Sequence, residues 1–159
     1  MKFPQSVSVV EVGPRDGFQM EVNFIPTETK IEMINALIKT GIQRIEVTSF
    51  ISPKAIPQMR DAVEVMAGIE RRPGIRLEAL VPNPKGAENA VRAGVDEMRV
   101  FVSASESHNR SNVNRTIEES LAGFKEVMKI ANECNIPVGG DVAVAFGCPF
   151  EGNVPVEQV

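Results

Sequence analysis

The alternation of strand and helix patterns along the chain is the feature that most constrains its fold. Short apolar or β-branched runs predict strands, and the segments between them carry apolar residues every three or four positions, as amphipathic helices do. The five predicted strands are Val7–Val12, Ile42–Ser49, Arg76–Val81, Glu97–Val102 and Pro137–Phe146. The predicted helices are Pro26–Thr40, Lys54–Ile69, Pro84–Ala93 and Thr116–Asn135, the last reached through a polar loop. This alternation predicts an α/β fold in which crossover helices join the strands of a parallel sheet.

Two architectures fit such an order of elements. An open doubly wound sheet would be complete with five strands in a chain of 159 residues. A (β/α)8 barrel takes about 250 residues, so five strands would form only part of its ring. Length alone therefore favours the open sheet and a single domain over residues 1–159. Against the nucleotide-binding form of that sheet, the chain has neither a P-loop nor a G-x-G-x-x-G pattern after its first strand.

Charge and composition narrow the classes of partner. The net charge is −4, from 17 basic and 21 acidic residues, so no basic field for nucleic acid or an anionic membrane is expected. No stretch approaches the roughly 18 apolar residues that a membrane span needs. The two cysteines, Cys134 and Cys148, do not form a disulfide framework and favour a protein of the reducing cytoplasm.

Charged residues follow the first two strands, where functional side chains of both architectures belong. Arg15 and Asp16 come directly after the first predicted strand, and Glu46 lies near the same end of the second. An aspartate can bind a hard cation through oxygen, and an arginine can neutralise a carboxylate or a developing oxyanion. The alternative interpretation is a purely structural ion-pair network.

Two single residues have weaker functional signals. Cys148 lies in a Gly-Cys-Pro turn that would display a thiol, although a buried cysteine without chemistry is the simpler interpretation. His108 is the only histidine and follows the fourth strand, where a solvated loop side chain is the simpler interpretation. The sequence contains no His-x-His or His-Glu-x-x-His pattern, so no zinc site is predicted.

Taken in order, the segments after the strands resemble the 3-hydroxy-3-methylglutaryl-CoA lyase family. The matching segments are VEVGPRDGFQ (10–19), IEVTSF (45–50), SPK (52–54), PQM (57–59), VPNPKG (81–86), SASE (103–106) and GCPFEG (147–152). The resemblance runs from about Val7 to the end of the chain, in the family's order and spacing. It implies that the chain is the N-terminal five strand–helix units of a (β/α)8 TIM barrel, which is a partial barrel.

The resemblance also implies an activity. Members of this family use Mg²⁺ or Mn²⁺ to cleave 3-hydroxy-3-methylglutaryl-CoA to acetyl-CoA and acetoacetate, and a related hydroxyacyl-CoA that yields another keto acid is an alternative substrate. A Claisen-condensing synthase of the isopropylmalate, homocitrate or citramalate type is a second possibility in the same superfamily. A non-catalytic half-barrel that needs a partner is a third.

Roles follow by resemblance for individual residues. Asp16 would ligate the metal ion, Arg15 would neutralise the oxygen that gains charge, and Glu46 would orient this cluster. The substrate-binding residues would be Gln19, Ser49, Ser103 and Asp141, and candidates for CoA binding are Lys54 and Lys85.

The chain departs from the family pattern in two ways. Asp141 stands where the family usually has a tyrosine near the substrate, which leaves the acyl group open. The His-x-His pair and asparagine that complete the family's metal site, and its catalytic cysteine on a later loop, are not among the 159 residues. We therefore expect this chain alone to be inactive, and to be either part of a longer chain or packed against another copy as a homo-oligomer.

Overall fold

The computed structural model describes residues 4–159 and contains one sheet of four parallel strands. The strands are β1 (Arg44–Ser49), β2 (Arg76–Leu80), β3 (Glu97–Ser103) and β4 (Val138–Ala143). The helices are α1 (Thr27–Lys39), α2 (Ala62–Gly68), α3 (Pro84–Ala93), α4 (Glu106–Val113) and α5 (Ile117–Glu133). The spatial order of the strands is their order in the chain.

The prediction of a strand at Val7–Val12 is wrong. Only Glu11 pairs with the sheet, through a parallel bridge to Ile45 in which the Glu46 amide donates to the Glu11 carbonyl at 2.8 Å. Val7 and Val9 are 81% and 69% exposed, so this β-branched run buries too little apolar surface to hold a longer ladder. A π-helical turn, Gly13–Gly17, follows it.

Two predicted connections also differ. The helix predicted at Lys54–Ile69 is shorter, because Pro57 begins a separate 3-10 turn at Pro57–Met59 and α2 starts only at Ala62. The polar loop predicted before the longest helix contains α4. This helix has no apolar stripe to reveal it, and its ends are set instead by the Ser105 side chain, which accepts from the His108 amide, and by Asn114 in the left-handed conformation.

The main apolar core lies on one face of the sheet, and a small second cluster joins Ala104, Cys148 and Val154. Residues of α1, α2, α3 and α5 form a single core with alternate residues of the first three strands: Ile34, Ile38, Val65, Met66, Ala87, Ala90, Val127 and Ala131 against Ile45, Val47, Leu77, Ala79, Met98 and Val100. Six of the intervening strand residues are charged and face the other side: Arg44, Glu46, Arg76, Glu78, Glu97 and Arg99. Helices on one face and strands in chain order are typical of a barrel, since a doubly wound sheet has helices on both faces.

The N-terminus of α5 carries a complete capping box, which gives a stability prediction. The Thr116 hydroxyl accepts from the Glu119 amide at 2.9 Å, and the Glu119 carboxylate accepts from the Thr116 amide at 2.8 Å. Thr116→Ala removes the first bond and is expected to lower the free energy of unfolding by about 1 kcal/mol. Urea unfolding followed by far-ultraviolet circular dichroism measures this, because the chain has no tryptophan or tyrosine.

The same box should weaken in acid. The hydrogen bond from the Thr116 amide, and next the Thr116 side chain, hold the pKa of Glu119 below its usual value. A carboxyl whose pKa is lowered by folding stabilises the fold above its unfolded pKa, and this contribution is lost as the pH falls through the folded pKa. The effect of Glu119→Gln should therefore shrink at low pH, and an effect that stayed constant with pH would contradict this assignment.

Candidate active site

A cleft of about 480 Å³ opens at the carboxyl ends of the strands, on the charged side of the sheet. It is lined by residues from the π-helical turn, from all four strands, from the loop after β1 and from α4: Arg15, Asp16, Gln19, Ser49, Ile51, Ala55, Ile56, Leu80, Phe101, Asn112, Val113, Asp141, Val142 and Ala143. Five of the seven predicted site residues line this cleft, and a sixth, Glu46, contacts it through Arg15.

Arg15 joins two carboxylates at this cleft. The π-helical turn brings the amides of Arg15 and Asp16 onto the carbonyl of Val12, at 3.0 and 2.7 Å, which directs both side chains toward the end of β1. The Arg15 Nε donates to Glu46 Oε1, and its Nη1 lies 2.6 Å from Asp16 Oδ1. These contacts with Glu46 and Asp16 hold the Arg15 guanidinium from two sides. They fix its orientation, so that it is ready to contact a ligand.

The two carboxylates differ in exposure. The Glu46 side chain is 3% exposed and the Asp16 side chain 56%. Burial raises the pKa of Glu46, and the opposing effect of Arg15 does not cancel it. Glu46 therefore orients Arg15 from behind, while the Asp16 carboxylate is open to the cleft. Gln19 donates to Asp16 Oδ1 at 3.0 Å, which fixes the orientation of that carboxylate.

Ser49 contributes an unsatisfied hydroxyl. Its Oγ is buried and has no hydrogen-bond partner within residues 4–159, although the residue lines the cleft. Leaving a buried hydroxyl unpaired costs about 1–3 kcal/mol, so the group is suited to bind a polar ligand atom.

Ser103 does not line the cleft. It is buried, and its hydroxyl lies 2.7 Å from His108 Nδ1 on α4. This places the only histidine in a helix and in contact with the strand end, so the expectation of a solvated loop side chain is wrong. The predicted substrate-binding role of Ser103 stays a prediction.

Cys148 is buried, so the turn does not display its thiol to solvent. The Ser105 hydroxyl donates to its Sγ at 2.9 Å, and the Phe150 amide lies 3.4 Å from the same atom. Burial opposes ionisation of the thiol, but the hydrogen bonds from Ser105, Phe150 and Glu151 outweigh it and lower the pKa of Cys148.

Asp141 does line the cleft, and it is held by Arg99 on the neighbouring strand. Sequence reasoning missed Arg99, although its place in a strand that alternates charged and apolar residues indicated an inward-facing charge. It also missed Asn112, which carried no signal because the sequence did not reveal α4. The proposed CoA-binding residues, Lys54 and Lys85, do not line this cleft, and Lys85 pairs with Glu88 at 2.9 Å.

The cleft contains the type of side chain that ligates a hard cation, but too few such side chains to complete a site. Asp16 offers the oxygen ligand that Mg²⁺ and Mn²⁺ prefer. Between residues 4 and 159, however, no three histidine, cysteine, aspartate or glutamate side chains come together as a metal site. These residues alone therefore do not make a complete site for either ion.

Comparison with known proteins shows which family matches this chain. The family model described as HMGL-like matches residues 6–159. Hydroxymethylglutaryl-CoA lyase YngG of Bacillus subtilis is 49% identical over 159 residues, which are 100% of this chain and 53% of that protein. The rat cytoplasmic 3-hydroxy-3-methylglutaryl-CoA lyase is 51% identical over 98% of this chain and 46% of its own length. The chain thus spans about half the length of these relatives.

A solved structure extends the comparison to the fold. The HMG-CoA lyase of Acinetobacter baumannii, determined with coenzyme A and 3-methylmalate, superposes with a TM-score of 0.91 at 45% identity, over 95% of this chain and 49% of that one. The lyases of this group are TIM barrels, so the prediction of a partial barrel is confirmed and the open sheet is excluded. No helix of residues 4–159 has the length and apolar character to cross a membrane. Some related lyases are named cytoplasmic and others mitochondrial, so the cytoplasmic location stays a prediction.

Proposed function

Because the chain belongs to the HMGL-like family, we propose that it supplies the Arg15–Asp16–Glu46 part of the active site of a carbon–carbon lyase. The substrate is 3-hydroxy-3-methylglutaryl-CoA or a related hydroxyacyl-CoA, and the products are acetyl-CoA and a keto acid such as acetoacetate. The observation that carries this proposal is the Arg15 guanidinium, held between a buried and an exposed carboxylate at the cleft.

The reaction explains why a fixed cation is needed. In a retro-Claisen cleavage the substrate hydroxyl loses its proton and becomes a carbonyl. The carbon–carbon bond breaks, and its electron pair becomes the enolate of the thioester, which takes up a proton to give acetyl-CoA. Negative charge moves between oxygens during this step, and a preorganised guanidinium stabilises it without having to reorganise. Arg15 is the cation of the cleft that meets this requirement.

The neighbouring groups support that role. Glu46 holds the guanidinium in place from the buried side, so Arg15 does not have to be ordered when the substrate binds. The unpaired Ser49 hydroxyl is available to an oxygen of the substrate. Asp16 faces the cleft and would be one ligand of a divalent ion, which when bound would act as a Lewis acid on a substrate oxygen.

The acyl-CoA class of substrate rests on similarity. The Acinetobacter baumannii lyase has coenzyme A bound. We infer that the whole protein that carries this chain binds a CoA thioester with its acyl end in the cleft. The test is the formation of acetyl-CoA from 3-hydroxy-3-methylglutaryl-CoA by that whole protein in the presence of Mg²⁺ or Mn²⁺. No acetyl-CoA from this thioester or its hydroxyacyl analogues would overturn the proposal.

Asp16→Asn tests the metal-ligand role in the same assay. The amide keeps the size of the side chain and removes its charge, so we expect the rate at saturating Mg²⁺ to fall by about 100-fold or more and the Mg²⁺ requirement to rise. The matched control is Glu118→Gln on the exposed face of α5, which neutralises a carboxylate away from the cleft and should leave the rate unchanged. A variant with the wild-type rate and metal dependence would refute the ligand assignment.

A further inference from the structure

Asp141 is a charged residue in the lining of the cleft, and the proposed reaction gives it no role. It lies on β4 opposite Phe101 in the register, and its side chain is 49% exposed. It shares the cleft with Arg15, Asp16 and Ser49. Burial is the main reason that the pKa of Glu46 is raised, and the charge of Asp141 adds to that rise, so both belong to one electrostatic environment.

Arg99 holds this carboxylate in one orientation. Its Nη2 donates to Asp141 Oδ1 and its Nε lies 3.3 Å from Asp141 Oδ2, so both oxygens are engaged by one guanidinium. Behind it, Arg99 Nη1 lies 3.4 Å from Glu97 Oε1, and the side chain is mostly buried. A bidentate pair anchored in this way fixes direction as well as position.

Gly139 makes room for the arrangement. It pairs with Arg99 in the register of β3 and β4. A Cβ at this position would lie 2.8 Å from Arg99 Cζ and 2.9 Å from Glu97 Oε1, which is closer than real contacts allow. Any side chain there would push the guanidinium away, so Arg99, Gly139 and Asp141 are fitted to one another.

A fixed carboxylate selects among acyl chains by charge. It accepts hydrogen bonds and cannot donate them, so a substrate hydroxyl is favoured next to Asp141 and a substrate carboxylate is repelled. We propose that Asp141, positioned by Arg99, is a specificity-determining residue that binds a hydroxyl group of the acyl chain and disfavours a carboxylate at the same place. This inference rests on the proposed lyase function and names the substrate feature that its cleft selects.

Two thioesters test the inference in the whole protein. They are 3-hydroxy-3-methylglutaryl-CoA and its analogue in which a primary alcohol replaces the terminal carboxylate, and both yield acetyl-CoA when cleaved. The measured quantity is the ratio of kcat/KM for the alcohol to kcat/KM for the carboxylate. Asp141→Asn should lower this ratio by about tenfold or more, the size expected for loss of a charge-assisted hydrogen bond and of like-charge repulsion.

Gly139→Ala is the second variant, and it leaves the charge of Asp141 intact. Its methyl group displaces the flexible end of Arg99, so Asp141 loses its fixed orientation and kcat/KM for the alcohol should fall. Glu118→Gln is the control and should leave the ratio unchanged. If the wild-type protein cleaves neither thioester, the lyase proposal fails and this inference falls with it. If it cleaves both thioesters and the ratio is unchanged in Asp141→Asn, only the specificity role of Asp141 is overturned.

Discussion

Arg15→Met is expected to lower kcat of the whole protein by about 10²–10³-fold, which corresponds to about 3–4 kcal/mol of lost transition-state stabilisation. The methionine keeps much of the length of the side chain but provides no charge and no donors for Glu46 or Asp16. Acetyl-CoA formation at saturating substrate measures the effect on kcat. An effect on KM alone would indicate that Arg15 binds the substrate and the transition state equally.

Two controls separate charge from geometry. Arg15→Lys keeps the positive charge, but a single ammonium cannot reproduce the two separate guanidinium contacts, so its kcat should fall between those of the wild type and Arg15→Met. Arg92→Met removes an exposed arginine from α3 and should leave kcat unchanged. Wild-type kcat in Arg15→Met would refute the role of the guanidinium.

Arg15→Met should also change how the free energy of unfolding depends on pH. Burial raises the pKa of Glu46, and Arg15 opposes that rise. Between the unfolded pKa and the raised folded pKa, the native state holds more protons than the unfolded chain, so the free energy of unfolding falls as the pH increases. Without Arg15 the folded pKa rises further, and the fall should continue to higher pH. Glu46→Gln should remove this slope in either background.

Glu78→Ala is expected to lower the free energy of unfolding by about 3–5 kcal/mol, a large part of the 5–15 kcal/mol typical of a domain. Glu78 is fully buried, with its Oε1 2.5 Å from Arg44 Nε and its Oε2 3.9 Å from Arg99 Nε. Truncation leaves both arginines without this counter-charge in a largely buried network. Urea unfolding followed by circular dichroism measures the loss.

Burial of the charge is the reason for this size, and the controls test that reason. Glu88 on α3 is exposed and pairs with Lys85 at 2.9 Å, so Glu88→Ala should lower the free energy of unfolding far less than Glu78→Ala does. Replacing the pair together, as Glu78→Leu with Arg44→Met, should recover much of the loss because neither charge is then left unpaired. A cost in Glu78→Ala as small as in Glu88→Ala would show that the network does not depend on this carboxylate.

The sequence alone predicted much of this chain because the signals involved are local. Alternating apolar residues and turn residues identified β1 to β4 and the helices α1, α3 and α5 to within a few residues. The rule that functional groups follow parallel strands brought Arg15, Asp16 and Glu46 into one hypothesis, and the structure joins all three. The order of motifs after the strands also identified the barrel family, where length by itself favoured the wrong architecture.

The features that only the tertiary structure decided depend on contacts between residues that are far apart in the chain. Val7–Val12 has the propensity of a strand but buries too little surface to become one, and α4 lacks the apolar stripe by which a helix is recognised. Arg99 and Asp141 are 42 positions apart and meet because β3 and β4 pair in one register. Local propensity carries no information about such a register, because the register is set by packing across the whole sheet. The pairing of Asp141 with Arg99, on which the proposed substrate selection depends, is therefore seen only in the folded structure.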